Sequence, residues 1–197
     1  EKCMPVECGF PKNHKNSISP SIEYKFPQAF SVWCNAGYTI NGSPQGNTGF
    51  VQRCQKDGQY SNPDAACQPV SCGKPEPTDF AKPKSDSPKV YLSSATWECN
   101  EHYTTDGLAS GRTTFEKTCQ ADGVYGDSMP GECKQIDFCA TSPCGRNGVC
   151  SNKGAGQEGY TCDCFEGFES KEIGGKLTCG ADDCAGNPCG DGGACLD

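Results

Sequence analysis

The sequence predicts an all-β fold built from small disulfide-rich modules, and three observations predict it. Cysteine is dense, 18 in 197 residues. That density marks a disulfide scaffold from an oxidising compartment, because cytosolic thiols are kept reduced. The segments between cysteines (FSVW, GFVQR, VYLSSATWE, RTTFEKT) are rich in Thr, Val, Tyr and Phe and are broken by Gly, Pro and Asn. They read as short antiparallel strands, with no helical periodicity. Finally, one cysteine block occurs twice. Cys8, Cys34, Cys54 and Cys67 match Cys72, Cys99, Cys119 and Cys133, and every gap in the second copy is equal or one longer.

The two blocks agree at many further positions. Trp33 and Trp97 stand ahead of the second cysteine, and Tyr38 and Tyr103 follow it by four residues. Each block then has Cys-Gln, Asp-Gly, a tyrosine (Tyr60, Tyr125) and a last cysteine past a proline. This is a duplicated module. Some sixty residues build little core, so cross-links must carry much of the stability. Closing a loop of about 15 residues contributes about 3 kcal/mol by restricting the unfolded chain. Trp33 and Trp97, next to a cysteine in the repeat, are expected in the core and not on a sugar-binding platform.

On these residues each block resembles a sushi module, also called a complement control protein module. That family has aromatic-x-Cys-x-x-Gly-Tyr around its second cysteine and Gly-x-Trp before its fourth. Its cysteines pair first to third and second to fourth. The resemblance implies modules over 8–67 and 72–133, with bonds Cys8–Cys54, Cys34–Cys67, Cys72–Cys119 and Cys99–Cys133. Two departures stand out. Tyr60 and Tyr125 occupy the Gly-x-Trp position and are expected to fill its core slot, and His102 replaces the glycine before Tyr103.

After Cys133 the pattern changes. CATSPCGRNGVC…GYTCDCFEGF…C over 139–179 resembles an epidermal-growth-factor-like (EGF-like) module. The resemblance implies Cys139–Cys150, Cys144–Cys162 and Cys164–Cys179, with Gly167 turning the minor hairpin. DDCAGNPCGDGGACLD opens like a second, truncated EGF-like module over 184–197, with Cys184–Cys195 closed and Cys189 left over. At the other end CMPVECGFP repeats CQPVSCGKP, so residues 1–7 read as the tail of a preceding sushi module and Cys3 as its last cysteine. With Glu1 first and no signal peptide, the sequence reads as a piece of something longer. Linkers of four or five residues (Gln68–Ser71, Lys134–Phe138, Gly180–Asp183) predict an elongated beads-on-a-string array with limited hinge motion.

The site candidates are few. Calcium-binding EGF-like modules carry acidic residues before the first cysteine and Asp/Asn two residues after the third. Here Asp137 and Asn152 hold such positions, but Gln135 and Phe138 replace two acidic ligands. Asp182, Asp183 and Asp197 retain more carboxylate in the truncated module, so calcium is the one candidate cofactor. Asn41-Gly42-Ser43 is a glycosylation sequon in a turn-like stretch. Lys12, His14 and Lys15, with Lys82, Lys84 and Lys89, fall in equivalent early loops; three charges on an acidic chain are weak support for a polyanion site. No nucleophile has a neighbouring base in any motif, so the chain reads as no enzyme.

The formal net charge of −8 disfavours nucleic acid. No apolar run approaches the ~20 residues that span a bilayer. Together these features imply a segment of a secreted or cell-surface mosaic protein that binds other proteins, as in cell adhesion, and spaces its neighbours. Two alternatives are a self-associating component of an extracellular filament, coat or matrix, and the non-catalytic flank of a complement-type protease or regulator. Fold analogy carries these functional readings.

Overall fold

A computed structural model of the chain describes residues 3–127 and 131–182. Those residues are all-β, with no helix, so none is long and apolar enough to cross a membrane. In the first block β1 (Glu7–Gly9) pairs with β3 (Tyr24–Lys25). β2 (Ser17–Ile18), β4 (Ala29–Cys34) and β6 (Gly49–Arg53) form a sheet in the order β2-β4-β6, and β5 (Tyr38–Thr39) pairs with β7 (Gln68–Pro69). In the second block β8 (Ser71–Gly73) pairs with β10 (Lys89–Val90). β9 (Ala81–Pro83), β11 (Ser94–Cys99), β13 (Thr114–Cys119) and β14 (Tyr125–Asp127) form a sheet ordered β14-β13-β11-β9. There β12 (Tyr103–Thr104) pairs with β15 (Lys134–Gln135). Two hairpins follow: β16 (Gly148–Asn152) with β17 (Tyr160–Cys164), and β18 (Phe168–Ile173) with β19 (Lys176–Ala181).

Seven cystines hold the described residues: Cys8–Cys54, Cys34–Cys67, Cys72–Cys119, Cys99–Cys133, Cys139–Cys150, Cys144–Cys162 and Cys164–Cys179. Cys3 is exposed and, among the described residues, outside any disulfide. Cys184, Cys189 and Cys195 lie outside the described residues. The first pair closes 46 residues, which restricts the unfolded chain by about 4 kcal/mol. The shortest closes 11, for about 3 kcal/mol.

Strand alternation decides what is buried. In β4 Phe30 and Val32 point inward, and in β11 Ala95 and Trp97 do. Trp97 lies two residues before its cysteine, but Trp33 lies only one before. A one-residue offset turns a side chain to the opposite face. Trp33 is therefore 58% exposed while Trp97 is 2% exposed, so the expectation of a core residue is wrong for Trp33. The inward partner of Trp97 in the first block is Val32, which is fully buried.

The described residues cluster into two units. One comprises Glu1–Thr78, Lys82–Trp97 and Glu116–Gly131; the other comprises Asp79–Ala81, Glu98–Phe115 and Glu132–Asp197. Within the first unit the supposed linker Gln68–Ser71 is not a free joint. Gln68 and Pro69 belong to β7, Ser71 to β8, and Val70 between them is 1% exposed. Val70 N–H donates to Gly37 O (2.9 Å), Ser71 N–H to Gly42 O (2.8 Å), and Tyr91 N–H to Val70 O (2.7 Å). The Tyr91 ring lies flush on Gly37 and edge-on to Tyr38, centroids 5.8 Å apart. A Cβ on Gly37 (φ +80°) would overlap that ring, and one on Gly123 would overlap Pro44. Glycine is needed at both places because a ring lies directly against its backbone, Tyr91 on Gly37 and Pro44 on Gly123.

The second unit repeats the device with different residues. Lys134–Gln135, read as linker, is the strand β15. Ile136 N–H donates to His102 O (2.9 Å), Asp137 N–H to Gly107 O (2.7 Å), and Gln135 Nε2 to Gly154 O (3.2 Å). His102 sits at φ +64°, in the left-handed conformation of the glycine it replaces, with the Phe138 ring 6.5 Å away. Gly180 and Ala181 belong to β19, so the third linker also begins as strand.

Candidate functional site

The first block carries two surfaces of different character. One is the outer face of the β2-β4-β6 sheet. Ile18 pairs with Trp33, and Ser31 with Val51. Ile18, Trp33 and Val51 are all more than half exposed. An indole standing in solvent on a rigid sheet is the residue type that dominates recognition interfaces.

The other is a cleft of 310 Å³ whose lining includes Lys12, His14, Gln52, Gln59, Tyr60 and Asn62. Gln52, at an inward position of β6, is 1% exposed. Its amide is fully used: Nε2 donates to Ser61 O (3.0 Å) and Asn62 O (3.2 Å), and Oε1 accepts from His14 Nε2 (3.1 Å). A buried amide tolerates its site only when paired in this way. Tyr60 forms another wall. Its ring meets Phe30 edge-on at 5.3 Å, and its hydroxyl donates to Gly9 O at 2.6 Å. Among the described residues no carboxylate lines the cleft. Sequence reading missed it, although one signal was available: a glutamine at an inward strand position.

Tyr125 is the counterpart of Tyr60. Its ring lies 5.4 Å from Trp97, and its hydroxyl donates to Gly73 O at 2.9 Å. Burial pushes both phenols above the ordinary tyrosine value. The unfolded chain therefore ionises first as pH rises. The stability tied to the neutral phenols is complete below pH ~10 and is lost above it. In alkaline denaturation Tyr60→Phe should flatten that decline, and an unchanged slope would contradict the assignment.

Asn41 heads a turn. Its Oδ1 accepts from Ser43 N–H (3.1 Å), while the buried Thr39 hydroxyl donates to Ser43 O (2.9 Å). Asp106 performs the same task in the second block, accepting from Leu108 N–H at 2.9 Å while Thr104 donates to Leu108 O at 3.0 Å. The asparagine thus has a structural role whether or not it carries a glycan. Asn41→Asp should remove the sequon and hold stability within about 0.5 kcal/mol. Asn41→Ala should cost about 1 kcal/mol in chemical denaturation.

The calcium candidates Asp137 and Asn152 are brought together. Asp137 Oδ1 accepts from Asn152 Nδ2 (3.1 Å) and Cys139 N–H (2.9 Å), while Asn152 Oδ1 accepts from Phe138 N–H (2.9 Å). Asp182 donates its N–H to Gly167 O (3.0 Å), and Asp183 and Asp197 lie outside the described residues. Among the described residues no group of three or more His, Cys, Asp or Glu is placed to hold a metal. Of the basic candidates, Lys12 and His14 line the cleft, Lys15 is exposed, Lys82 and Lys89 lie on β9 and β10, and Lys84 N–H donates to Thr96 O.

Comparison with known proteins fits this geometry. The Sushi repeat (SCR repeat) family matches residues 8–67. The chain is 28% identical over 147 residues to the mouse (Mus musculus) "Sushi, von Willebrand factor type A, EGF and pentraxin domain-containing protein 1", covering 75% of the chain and 4% of that protein. It is 34% identical over 102 residues to the rat (Rattus norvegicus) "Complement C1s subcomponent", covering 50% of the chain and 14% of that protein. It is 28% identical over 140 residues to the dog (Canis lupus familiaris) "Beta-2-glycoprotein 1", covering 68% and 36%. The chain therefore spans only a small part of the length of these relatives. With the cystine frame, the strand pairing and the family match in agreement, residues 8–67 are a sushi repeat.

Proposed function

We propose that residues 72–133 are a second sushi module and residues 139–179 an EGF-like module. On this reading the chain is a recognition and spacing segment of an extracellular multi-domain protein. The observation that carries it is the outward Trp33, held on a sheet between Ile18 and Gly49, with the exposed Val51 on the same strand as Gly49. The cystine order of 139–179 supports the EGF-like assignment, as does a relative whose name joins sushi with EGF domains. The strand-locked joint at Val70 supports the spacing role, since it fixes neighbouring modules without a flexible hinge.

A photo-crosslinking residue at position 33, in the whole chain exposed to its native extracellular fluid, tests the reading. Covalent products with a different protein, lost when Ile18 and Val51 become serine, are expected. Products with copies of the chain alone would replace recognition with self-assembly, and absence of products would overturn it. A second reading, as the flank of a complement component, is favoured by the matches to the C1s subcomponents. The full-length sequence decides that one.

A further inference from the structure

The two repeats can be superposed residue by residue through their cystines, and this shows what the cleft of the first one lacks. The equivalence is fixed by hydrogen bonds as well as by cysteines. Tyr60 OH to Gly9 O matches Tyr125 OH to Gly73 O, and Asn35 N–H to Asn16 O matches Asn100 N–H to Phe80 O. On this frame Lys12, Gln52 and Tyr60 correspond to Glu76, Lys117 and Tyr125.

Those three counterparts surround the Trp97 side chain. Its Nε1 donates to Glu76 O (3.0 Å), Lys117 Nζ lies 5.9 Å from the ring centroid, and Tyr125 meets the ring edge-on at 5.4 Å. In the first repeat the residue at the Trp97 position is Val32, three carbons in place of an indole. Phe30 supports Tyr60 instead, from the position of Ala95. Lys12, Gln52 and Tyr60, the counterparts of the three groups around the indole, all line the 310 Å³ cleft.

We propose that this cleft is a binding site for an aromatic side chain, an indole or phenol, presented by a partner polypeptide beside acidic residues. The second repeat supplies the ring's chemistry: an N–H or O–H donor directed at the backbone carbonyl of residue 12, edge contact with Tyr60, and the Gln52 side chain opposite. Charge selects the flanks. Lys12 and His14 line the cleft with no described carboxylate beside them, and Lys12 stands where the filled repeat has Glu76. The proposal gives the recognition reading above a second site, and rests on that reading only for the origin of the ring.

The test is titration of the whole isotope-labelled chain with N-acetyltryptophanamide, using N-acetylalaninamide as control, followed by amide shifts. The tryptophan amide is expected to move Gln52, Tyr60 and Asn62, and the control not to. Val32→Trp introduces the indole that the second repeat carries at this position and should weaken binding at least about tenfold. An acetylated Asp-Trp-Glu peptide should bind more tightly than the amide, and Lys12→Glu, at an exposed position, should abolish that preference. Lys12→Glu also keeps the proposal testable if Val32→Trp does not fold. Shifts scattered over the surface, equal response to the control, or unchanged peptide preference in Lys12→Glu would overturn the site. Failure of crosslinking at position 33 leaves these shifts intact, so the two readings fail separately.

Discussion

Replacing Trp97 with alanine is expected to destabilise the second module by about 4 kcal/mol, whereas Trp33→Ala should cost less than about 1 kcal/mol. The two residues hold similar places in the cysteine pattern, but strand parity gives them opposite faces. Trp97 is buried, donates its indole N–H to Glu76 O, and braces Tyr125. Its removal leaves a cavity between strands that the cystines hold apart, so the site cannot collapse to fill it. Trp33 loses little on truncation because over half its surface already faces water. Chemical denaturation under non-reducing conditions measures both, and equal costs would mean that the strand register is misread. Trp33→Ala should instead weaken the crosslinked partner.

Gly37→Val is expected to break the joint between the first two modules at a cost of about 3 kcal/mol. A β-branched side chain at φ +80° is strained, and its Cβ would displace the Tyr91 ring from its place on the backbone. The loss should be local. The amides of Val70, Ser71 and Tyr91, which donate across the joint, should exchange faster with solvent. The Phe30–Tyr60 core should keep its protection. Unchanged exchange at Tyr91 would show that the joint does not depend on this contact.

Much of the architecture was legible in the sequence, because cysteine spacing and Thr/Val/Tyr/Phe composition act locally. The all-β class follows from them directly. What escaped is parity and partnership. Reading "a Trp before the cysteine" treats Trp33-Cys34 and Trp97-Glu98-Cys99 as alike, although one residue separates inside from outside. The sequence reads the linkers as short joints with limited hinge motion but not as strands, because four or five residues between cysteines carry no pairing signal of their own. Their partners, Tyr38 and Thr39 for β7 and Tyr103 and Thr104 for β15, lie some thirty residues away. The cleft was least legible, since it arises from Lys12, Gln52 and Tyr60 meeting in space. No single residue of the three announces it.

The cystine frame also sets how the chain responds to being pulled. The bond from Cys8 to Cys54 bypasses the backbone between them, a sequence separation of 46. Between Cys8 and Cys67 only the stretch after Cys54 is then free to straighten. At ~3.5 Å per residue the module can lengthen to about 45 Å under tension, against about 200 Å for the open chain. Reduction of Cys8–Cys54 alone would let the span reach only about 90 Å, because Cys34–Cys67 still bypasses a separation of 33 residues. The full length is let out when both bonds are reduced, so the local redox state sets the module's reach under load in steps.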